Sequence, residues 1–450
     1  MKYKTSKYNC YLNIDNESYV YNLISGSIIK LSDGLLRFLS KNKDNSFGAN
    51  IFNSNLLHLL DSHNIIIPVD FNEIEYLKFL HNKDKYDDSY LSVVMLPTLQ
   101  CNLGCHYCYE KNKVEKISPN SQETLSMFFK KQSKVKKYIA VRWSGGEMML
   151  QWQNIKKLSN EIIQSCQENN CEYVASCVTN ATLLNEDIIC QFKSIGISSV
   201  QITLDGNETF HNKVRHYRDG KGTFNDIIKN IVIASKYLKV IIRLNIDKFN
   251  IAGLEALFNS ISKTDINRDN IQLFCKPVLC THVRQPRNKT FSHEEFYLVE
   301  LKLLKLAEKY NLPYAFHWGV RGKNTRCAYN NLQGFYITPT LDIYKCPIFI
   351  DNDPNDKSHV IGHISESGDL IISNHTELNK CLGYSPFDHD ECLKCKVLPI
   401  CHGKCVKIWE LNENKENEGC IPEKFSIENK IAYAVKSDVE YNALLNSGIV

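Results

Sequence analysis

From residue 91 onward, apolar strands alternate with amphipathic helices, and this alternation restricts the possible folds more than any other feature of the sequence. The pattern predicts strands at 92–96, 139–143, 173–178, 198–204, 240–246 and 271–276. The predicted helices lie near 121–136, 153–167, 185–194, 224–237, 251–262 and 293–310. Six strand–helix units in succession imply a parallel sheet with right-handed crossovers, either an open sheet or an incomplete barrel. In either arrangement the functional groups are expected at the carboxyl ends of the strands.

Two segments of different character flank this repeat. Residues 8–31 alternate apolar and polar positions around turn-formers, which predicts an antiparallel meander. Helical spacing at 35–39, 56–60 and 71–80 and a short strand at 65–69 complete a small α+β module. The charged, unpatterned run His81–Ser89 is typical of a linker.

After about residue 315 the alternation stops, and eight of the eighteen cysteines fall between 327 and 420. We therefore expect an α+β module at 1–85, an α/β domain at 90–315, a cysteine-rich domain at 316–425 and a C-terminal helix at 426–450.

Composition excludes several classes of function. A net charge of +4 on 450 residues is too small to indicate a nucleic-acid groove or an anionic-membrane surface. No apolar stretch approaches the ~18 residues of a membrane span, and the first thirty residues lack the apolar core of a secretion signal. We therefore expect a cytoplasmic protein, in which clustered cysteines bind metal or carry out redox chemistry more often than they form disulfides.

The first cysteine cluster directly follows the first predicted strand of the α/β domain. Cys101, Cys105 and Cys108 have C-x3-C-x2-C spacing. Three thiolates on one loop can hold three irons of a four-iron cluster and leave the fourth iron open to another ligand. A zinc knuckle is the alternative, but structural zinc requires four nitrogen or sulfur ligands, and His106 is poorly placed to be the fourth.

This triplet, with Tyr107 before its last cysteine, resembles the signature of the radical S-adenosylmethionine (SAM) enzymes. The resemblance implies that the three cysteines are catalytic, that SAM binds the open iron, and that one electron cleaves SAM to a 5′-deoxyadenosyl radical. The motifs that resemble the family's SAM contacts follow in order on later strands. The residues assigned in this way are Tyr107, Gly145, Gly146, Glu147, Thr179, Asn180, Gln201, Thr203, Asp205, Arg215, Arg243 and Asn245.

The chemistry of these residue types suits the ligand. The carboxylate of Glu147 can hold the SAM amine, and Arg215 can pair with the SAM carboxylate. Two positions depart from the family pattern: Ala181 stands where many relatives carry Gly, and Asn212 replaces the Asp of the usual HDxxR motif. Each motif is weak by itself, because paired glycines usually form turns and polar strand residues often lie in cores. Their order on successive strands favours the SAM site.

The C-terminal cysteines are too numerous for one metal with four ligands. Their arrangement resembles the SPASM domain, an extension of radical SAM enzymes that holds two auxiliary four-iron clusters. The resemblance assigns Cys392, Cys395, Cys401 and Cys420 to an outer cluster, and Cys327, Cys346 and Cys405 to an inner cluster. Two structural zinc sites are the alternative, since four-cysteine zinc sites share the CxxC element.

The inner set lacks an assigned fourth ligand. Gln333 occupies the position at which some relatives carry another cysteine. Either Cys381 or another group completes the set, or one iron stays open to a substrate thiolate. In the nearby hairpin, Leu341 stands where the family pattern has Gly.

The resemblance covers about residues 90–425 and implies a radical SAM/SPASM maturase of ribosomally made peptides. The leading hypothesis is hydrogen abstraction from a precursor peptide followed by an intramolecular cross-link. The missing fourth ligand favours a thioether, as in sactipeptides and ranthipeptides, over a carbon–carbon bond. Expected partners are a leader peptide, bound by residues 1–85 through strand addition, and a reductant such as flavodoxin or ferredoxin.

Two other functions remain open from the sequence. The first is oxidation of a Cys or Ser to formylglycine, as carried out by sulfatase-maturing relatives. The second is a zinc-bound protein that binds peptides without chemistry. Assays with a sulfatase peptide would distinguish formylglycine formation from cross-linking. Measurement of the bound metal would distinguish a zinc protein from an iron–sulfur enzyme.

Overall fold

A computed structural model gives the fold. It describes residues 1–43, 45–105, 108, 114–278, 290–314, 327–350, 356–411 and 417–437. Within these ranges, no helix has the length and apolar character that crossing a membrane requires.

The N-terminal module consists of two small antiparallel sheets and three helices. Its strands are β1 (Lys2–Thr5), β2 (Asn9–Ile14), β3 (Glu17–Asn22), β4 (Ile28–Leu31), β5 (Phe47–Gly48) and β6 (Ile66–Pro68), and its helices are α1 (Asp33–Lys41), α2 (Ser54–Ser62) and α3 (Glu73–Lys85). The strand orders are β2-β3-β4 and β5-β1-β6. Asp15 and Asn16 join β2 to β3 at φ +50° and +65°, the conformation of a tight hairpin turn. The predicted meander is confirmed.

The predicted linker at 81–89 is wrong in its first half. Helix α3 continues to Lys85, and it buries His81 and Lys85 against the cysteine-rich region. The Lys85 Nζ donates a 3.0 Å hydrogen bond to the carbonyl of Tyr384, which lies 299 residues further along the chain. Residues 81–85 were predicted to be exposed because the residues they pack against are distant in the sequence.

A large sheet with parallel strands forms the centre of the molecule. Its parallel strands are β7 (Tyr90–Met95), β8 (Tyr138–Trp143), β9 (Glu172–Thr179), β10 (Ile197–Leu204), β11 (Lys239–Ile246) and β12 (Ile271–Pro277). The associated helices are α4 (Pro119–Ser133), α5 (Trp152–Glu168), α6 (Glu186–Phe192), α7 (Glu208–Val214), α8 (Phe224–Ser235), α9 (Leu254–Ser262) and α10 (His293–Tyr310). These six strands pair in sequential order. All six predicted strands are confirmed, and α7 is an addition.

The pleat of the strands separates a packed face from a polar one. On β10, Val200, Ile202 and Leu204 are fully buried in the core that the helices cover. Gln201 and Thr203 alternate with them and therefore point to the other face of the sheet. The same alternation on β11 places Arg243 and Asn245 on that polar face.

The cysteine-rich region extends the central sheet. Its elements are β13 (Gly334–Ile337), β14 (Asp342–Tyr344), β15 (Gly362–Ile364), β16 (Leu370–Ile372), α11 (His375–Gly383), α12 (Asp390–Leu393), α13 (Leu398–Cys401), α14 (Val406–Leu411) and α15 (Glu423–Ser437). Strand β13 pairs in parallel with β7, and β13 to β16 continue as an antiparallel meander, which makes a sheet of ten described strands. The predicted C-terminal helix begins three residues earlier than expected, and residues 438–450 lie outside the described part of the chain.

The β13–β14 hairpin shows how the chain accommodates Leu341. This residue has φ +69°, the left-handed conformation that favours glycine. The turn is closed by hydrogen bonds from the Leu341 amide to the Thr338 carbonyl and from the Thr338 amide to the Asp342 carbonyl, each 3.0 Å. The half-buried Leu341 side chain packs against the main core. The hairpin therefore forms without the glycine of the family pattern.

The two ends of the described chain share one apolar core. It combines Tyr8, Cys10, Leu12, Ile14, Tyr21 and Leu23 of the N-terminal module with Cys392, Val397, Leu398 and Ile400 and with Ile427 and Ile431 of α15. The N-terminal module thus packs on the cysteine-rich region through a continuous apolar interface.

Candidate functional site

The three-cysteine loop begins a few residues beyond the end of β7. Cys105 is buried, and Cys101 and Cys108 are half-buried. Burial raises the pKa of Cys101 to about 12, and the neighbouring Cys105 and Cys108 charges act in the same direction. Because metals bind the thiolate, metal loading here releases protons. Tyr107, a predicted cofactor contact, lies outside the described residues.

The glycine motif at the end of β8 supports the base of this loop. The Gly146 amide donates to the Thr98 carbonyl at 3.1 Å, and the Glu147 amide donates to the Gln100 carbonyl at 2.7 Å. A Cβ atom on Gly146 would lie 2.1 Å from the Gln100 oxygen, and Gly145 has φ +118°. The two glycines therefore allow β8 to contact the backbone that enters the cysteine loop.

Glu147 is surrounded by protein donors. Its carboxylate accepts hydrogen bonds from Thr179 Oγ1 and the Asn180 amide, each at 2.7 Å, and from the Met149 amide at 3.0 Å. The side chain is 0% exposed. Glu147 was predicted to hold the SAM amine; in this structure its carboxylate also joins the ends of β8 and β9 through these hydrogen bonds.

The end of β9 contacts the cysteine loop directly. The Asn180 Nδ2 donates to Asn102 Oδ1 at 2.9 Å and lies 3.7 Å from Cys101 Sγ. Thr182 receives a 2.8 Å hydrogen bond from Asn102 Nδ2. Ala181 is buried with φ +66°, so this departure from the family's Gly also occupies a left-handed position.

A second set of contacts holds the loop from the segment after α7. The Arg218 Nε donates to the Cys101 carbonyl at 2.9 Å, and the Gly104 amide donates to the His216 carbonyl at 2.9 Å. Asn102, His216 and Arg218 were not predicted as contacts of the loop. Asn102 is marked only by its place inside the cysteine motif, and nothing in the sequence pattern marks the other two.

Asp205 and Arg215 form a buried ion pair near the end of β10. Arg215 Nε lies 3.1 Å from Asp205 Oδ2, and the side chains are 11% and 1% exposed. Arg215 was predicted to pair with the SAM carboxylate; in this structure one of its nitrogen atoms is committed to Asp205. The pair fixes the position of the guanidinium group at the carboxyl end of the sheet.

His211 supports this ion pair. Its Nδ1 accepts from the Asp205 amide at 3.2 Å, and its Nε2 lies 3.0 Å from Thr223 Oγ1. The Thr223 hydroxyl donates to the Arg215 carbonyl at 2.8 Å, so Nε2 carries the ring proton. Burial lowers the pKa of His211 to about 4. The imidazole is therefore neutral at pH 7.

The second departure, Asn212, has a structural role. Its Oδ1 accepts hydrogen bonds from the amides of Thr223 and Phe224 at 2.9 and 3.0 Å. These are free amides at the start of α8, which an Asp carboxylate could bind in the same way. Asn212 therefore replaces an Asp without loss of this cap.

The remaining predicted SAM contacts lie together on the polar face of the sheet. Thr203 on β10 is paired with Arg243 on β11. Gln201, two residues earlier on β10, is paired with Ile241. Arg243 Nε donates to Asn245 Oδ1 at 2.9 Å. The structure thus brings these four residues together on one face of the sheet.

Four of the C-terminal cysteines line one cavity. They are Cys392, Cys395, Cys401 and Cys420. Lys404 and Glu391 form an ion pair at its wall, and Val397, Leu398 and Ile421 supply apolar lining. Burial raises the pKa of Cys392 and Cys420. Four thiols around a mostly apolar cavity have the chemistry that an iron–sulfur cluster requires.

A second, larger cavity adjoins the first. Cys327, Cys346 and Cys405 line it, with Lys407 at its wall. Lys407 forms an ion pair with Glu410 at 2.8 Å. Cys381 is not part of this lining; it is buried with Tyr329 and Cys346 in a small apolar cluster. The two predicted cysteine sets therefore fall on two cavities, and Cys401 borders both.

Across the residues that the structure describes, no three His, Cys, Asp or Glu side chains are grouped closely enough to hold one metal ion. The thiols surround cavities instead.

Comparison with known proteins gives a family match over part of the chain and a similar curated enzyme. Residues 95–261 match the model of the Radical SAM superfamily. The cysteine-type anaerobic sulfatase-maturating enzyme of Clostridium novyi is 24% identical over 364 residues, which cover 74% of this chain and 93% of that enzyme.

Two solved structures share the fold. Native anSMEcpe with bound AdoMet and Cp18Cys peptide has a TM-score of 0.53 and 17% identity, covering 80% of this chain and 98% of that chain. Streptococcus suis SuiB bound to precursor peptide SuiA has a TM-score of 0.51 and 15% identity, covering 93% of this chain and 98% of that chain.

Proposed function

Because this chain contains a radical SAM domain, we propose that it is a peptide maturase that abstracts a hydrogen atom from a precursor peptide and closes an intramolecular cross-link. One observation carries the proposal. The cysteine loop is held by the ends of β8 and β9 and by the segment after α7, so it lies where the polar face of the sheet reaches its carboxyl edge.

The residues of this site have distinct proposed roles. Cys101, Cys105 and Cys108 would bind a four-iron cluster, which with SAM supplies the 5′-deoxyadenosyl radical. Gly145 and Gly146 hold the loop at its base, and they leave no space for side chains there.

The polar face would contact SAM and substrate. Thr203, Arg243 and Asn245 present hydroxyl, guanidinium and amide groups toward it. The buried Asp205–Arg215 pair adds a guanidinium group, held in place by the Asp205 carboxylate, at the same edge. These groups can orient a zwitterionic ligand without large rearrangement, because strands and buried contacts hold them.

The two cysteine-lined cavities fit two auxiliary clusters. The outer set offers four thiols, and the inner set offers three. Cys381 does not line the inner cavity, although it packs against Tyr329 and Cys346, which do. We infer that one position of that cluster is left for another ligand. A substrate thiolate suits that position, and this favours a thioether over a carbon–carbon bond.

The thioether reaction balances as follows. One C–H and one S–H bond of the peptide are replaced by a C–S bond. One hydrogen atom passes to the 5′-deoxyadenosyl radical, the thiol proton passes to solvent, and the remaining electron is taken up by an oxidised auxiliary cluster. The peptide loses the mass of two hydrogen atoms.

A peptide substrate is supported by the relatives. SuiB is solved with its precursor peptide, and anSMEcpe is solved with a peptide and AdoMet. In the N-terminal module, β4 is an edge strand of the β2-β3-β4 sheet. An extended leader peptide can add to such an edge through main-chain hydrogen bonds.

Formylglycine formation is the second candidate. The likeness to the C. novyi sulfatase-maturating enzyme over 93% of its length favours it. This reaction also oxidises a side chain after hydrogen abstraction, but it yields an aldehyde and forms no cross-link.

One experiment separates the two reactions. Reconstituted enzyme, SAM and reductant are incubated with the candidate precursor peptide and, separately, with a sulfatase-derived peptide. A cross-link removes an alkylatable thiol and gives no hydrazide adduct, whereas formylglycine reacts with a hydrazide. The Cys101→Ala variant is the control. Uncoupled SAM cleavage with unchanged peptides would contradict both functions.

Metal content tests the cluster assignment. Protein reconstituted without oxygen should hold about twelve irons with matching sulfide, and the triple Cys101, Cys105 and Cys108 to Ala variant should lose about four. About two zincs with little iron would instead support the zinc-bound alternative.

A further inference from the structure

Lys404 lies in the wall between the two cysteine-lined cavities. It lines both of them, and in the sequence it stands between Cys401 of the outer set and Cys405 of the inner set. Its side chain is 1% exposed. A lysine is almost never buried to this extent unless its charge is paired. The contacts of the ammonium group therefore determine where this charge acts.

Two side chains hold the Lys404 ammonium group. Glu391 forms an ion pair with it, and the centroid of the Trp409 ring lies 4.3 Å from Nζ. Of the two cavities, as far as their described lining goes, Glu391 borders only the outer one. The ion pair therefore places the charged end of Lys404 on the side of the outer cavity.

The charges around the outer cavity do not balance. Its described lining includes two lysines, Lys404 and Lys424, and one carboxylate, that of Glu391. Burial raises the pKa of the Cys392 thiol, and the Lys404 charge opposes this rise more strongly than the Glu391 charge adds to it. The four thiols of this cavity thus lie in an excess of positive charge.

We propose that Lys404 raises the reduction potential of the four-iron cluster of the outer cysteine set, and that Glu391 limits this effect. The proposal rests on the part of the proposed function in which these cysteines hold a cluster. Lys404 is a positioning residue for electron transfer, because it acts through the cluster and does not contact the substrate.

The expected direction follows from charge. Reduction adds one negative charge to a cluster, so a buried cation in the cavity wall stabilises the reduced state and raises the potential. Replacement of Lys404 by Met should lower the equilibrium constant for reduction by roughly tenfold, at an effective dielectric constant of about 20. For one electron, tenfold corresponds to about 59 mV.

The test measures the midpoint potential of the outer cluster in the full-length protein reconstituted without oxygen. A redox titration is followed by electron paramagnetic resonance, and the outer signal is assigned by its loss in Cys392→Ala. Lys404→Met should lower the midpoint. Glu391→Gln should raise it, because the amide oxygen can still accept a hydrogen bond from Lys404 but no longer compensates its charge.

Lys394→Met is the matched control. Lys394 stands between Cys392 and Cys395 in the sequence, but it is exposed and lines neither cavity. This variant changes the net charge of the protein by the same amount as Lys404→Met. Solvent and salt screen an exposed charge, so the midpoint should stay at the wild-type value.

The opposite shifts distinguish an effect of charge from a structural one. Both Lys404→Met and Glu391→Gln weaken the ion pair, so a local distortion would move the midpoint in the same direction in the two variants. Shifts in the same direction overturn the inference, as does an equal shift in Lys394→Met. If Lys404→Met does not retain the cluster, the direction of the Glu391→Gln shift decides.

The outcomes also separate the inference from its premise. Unchanged midpoints in Lys404→Met and Glu391→Gln, with iron content intact, overturn the inference alone. If Cys392→Ala loses no iron, the outer cluster assignment fails, and the inference fails with it.

Discussion

At the residue scale, His211 links the Asp205–Arg215 pair to the start of α8. It is fully buried, and its pKa is lowered to about 4 from 6.5. Between pH 4 and pH 6.5, His211 is therefore protonated in the unfolded chain and neutral in the folded chain. Stability from this residue is present above pH 6.5 and falls as the pH drops toward 4.

We expect the free energy of unfolding of the metal-free protein to fall by about 2 kcal/mol from His211 alone between pH 7.5 and pH 5. The His211→Gln variant should lose that part of the pH dependence. Urea titrations at the two pH values measure it, and His58→Gln, at an exposed position, should keep the wild-type slope. Identical slopes for His211→Gln and the wild type would contradict the prediction.

A second prediction at this scale concerns Gly146. Gly146→Ala would place a Cβ 2.1 Å from the Gln100 oxygen, so β8 and the cysteine loop must separate. We expect the variant to bind about four fewer irons after reconstitution. Gly34→Ala is the control, since no atom lies within 4 Å of its Cβ in exposed α1. Unaltered iron content in Gly146→Ala would show that the close contact is not required.

The residue types of the site were predictable, and their contacts were only partly so. The cysteine spacings and the order of motifs placed Asn180, Thr203 and Arg243 at one edge of the sheet. The sequence could not show that the Glu147 carboxylate accepts hydrogen bonds from the Thr179 hydroxyl and the Asn180 amide. That depends on the distance between two strand ends.

At the element scale, the strands of the central sheet could be predicted from the periodicity and length of their apolar segments, because each apolar strand is followed by an amphipathic helix. The two-residue β5 and the short α7 were not predictable in this way, since neither contains a full period. Helix α3 was cut short in the prediction. Its buried positions Glu73, His81 and Lys85 recur at helical spacing but are polar.

Lys85 tests the contact between α3 and the cysteine-rich region. Lys85→Met keeps the aliphatic stem and removes the donor to the Tyr384 carbonyl. We expect the free energy of unfolding to fall by about 1–3 kcal/mol, because a buried carbonyl loses its partner. Lys83→Met, at an exposed position of the same helix, should change it by less than about 0.5 kcal/mol. Equal effects would show that the buried contact contributes nothing specific.

At the scale of the whole molecule, the N-terminal module and the cysteine-rich region form one packed unit. The sequence predicted the segments separately but not their contact, because nothing local links Tyr8 or Leu12 to Leu398 or Ile431. Only the folded chain shows that the first strands share a core with Cys392, Val397 and Leu398, which line the outer cysteine cavity.

A chain that begins at residue 86 should therefore lose more than the N-terminal module itself. Deletion uncovers Leu398, Ile400 and the apolar side of α15 beside the outer cavity. We expect about four fewer irons per chain after reconstitution. Cys392→Ala in the full chain should lose the same number, and the combination should lose no more. Full iron retention by the shortened chain would contradict this expectation.

The shared core also has a consequence for synthesis on the ribosome. The apolar side chains of β2 emerge early, but their partners in α15 are translated roughly 400 residues later, about 20 to 80 s at elongation rates of about 5 to 20 residues per second. During that interval the nascent strands expose an apolar surface that can mispair or bind a chaperone. Slower translation lengthens the time for which this surface is exposed, so codon choice and growth temperature should affect the yield of native protein.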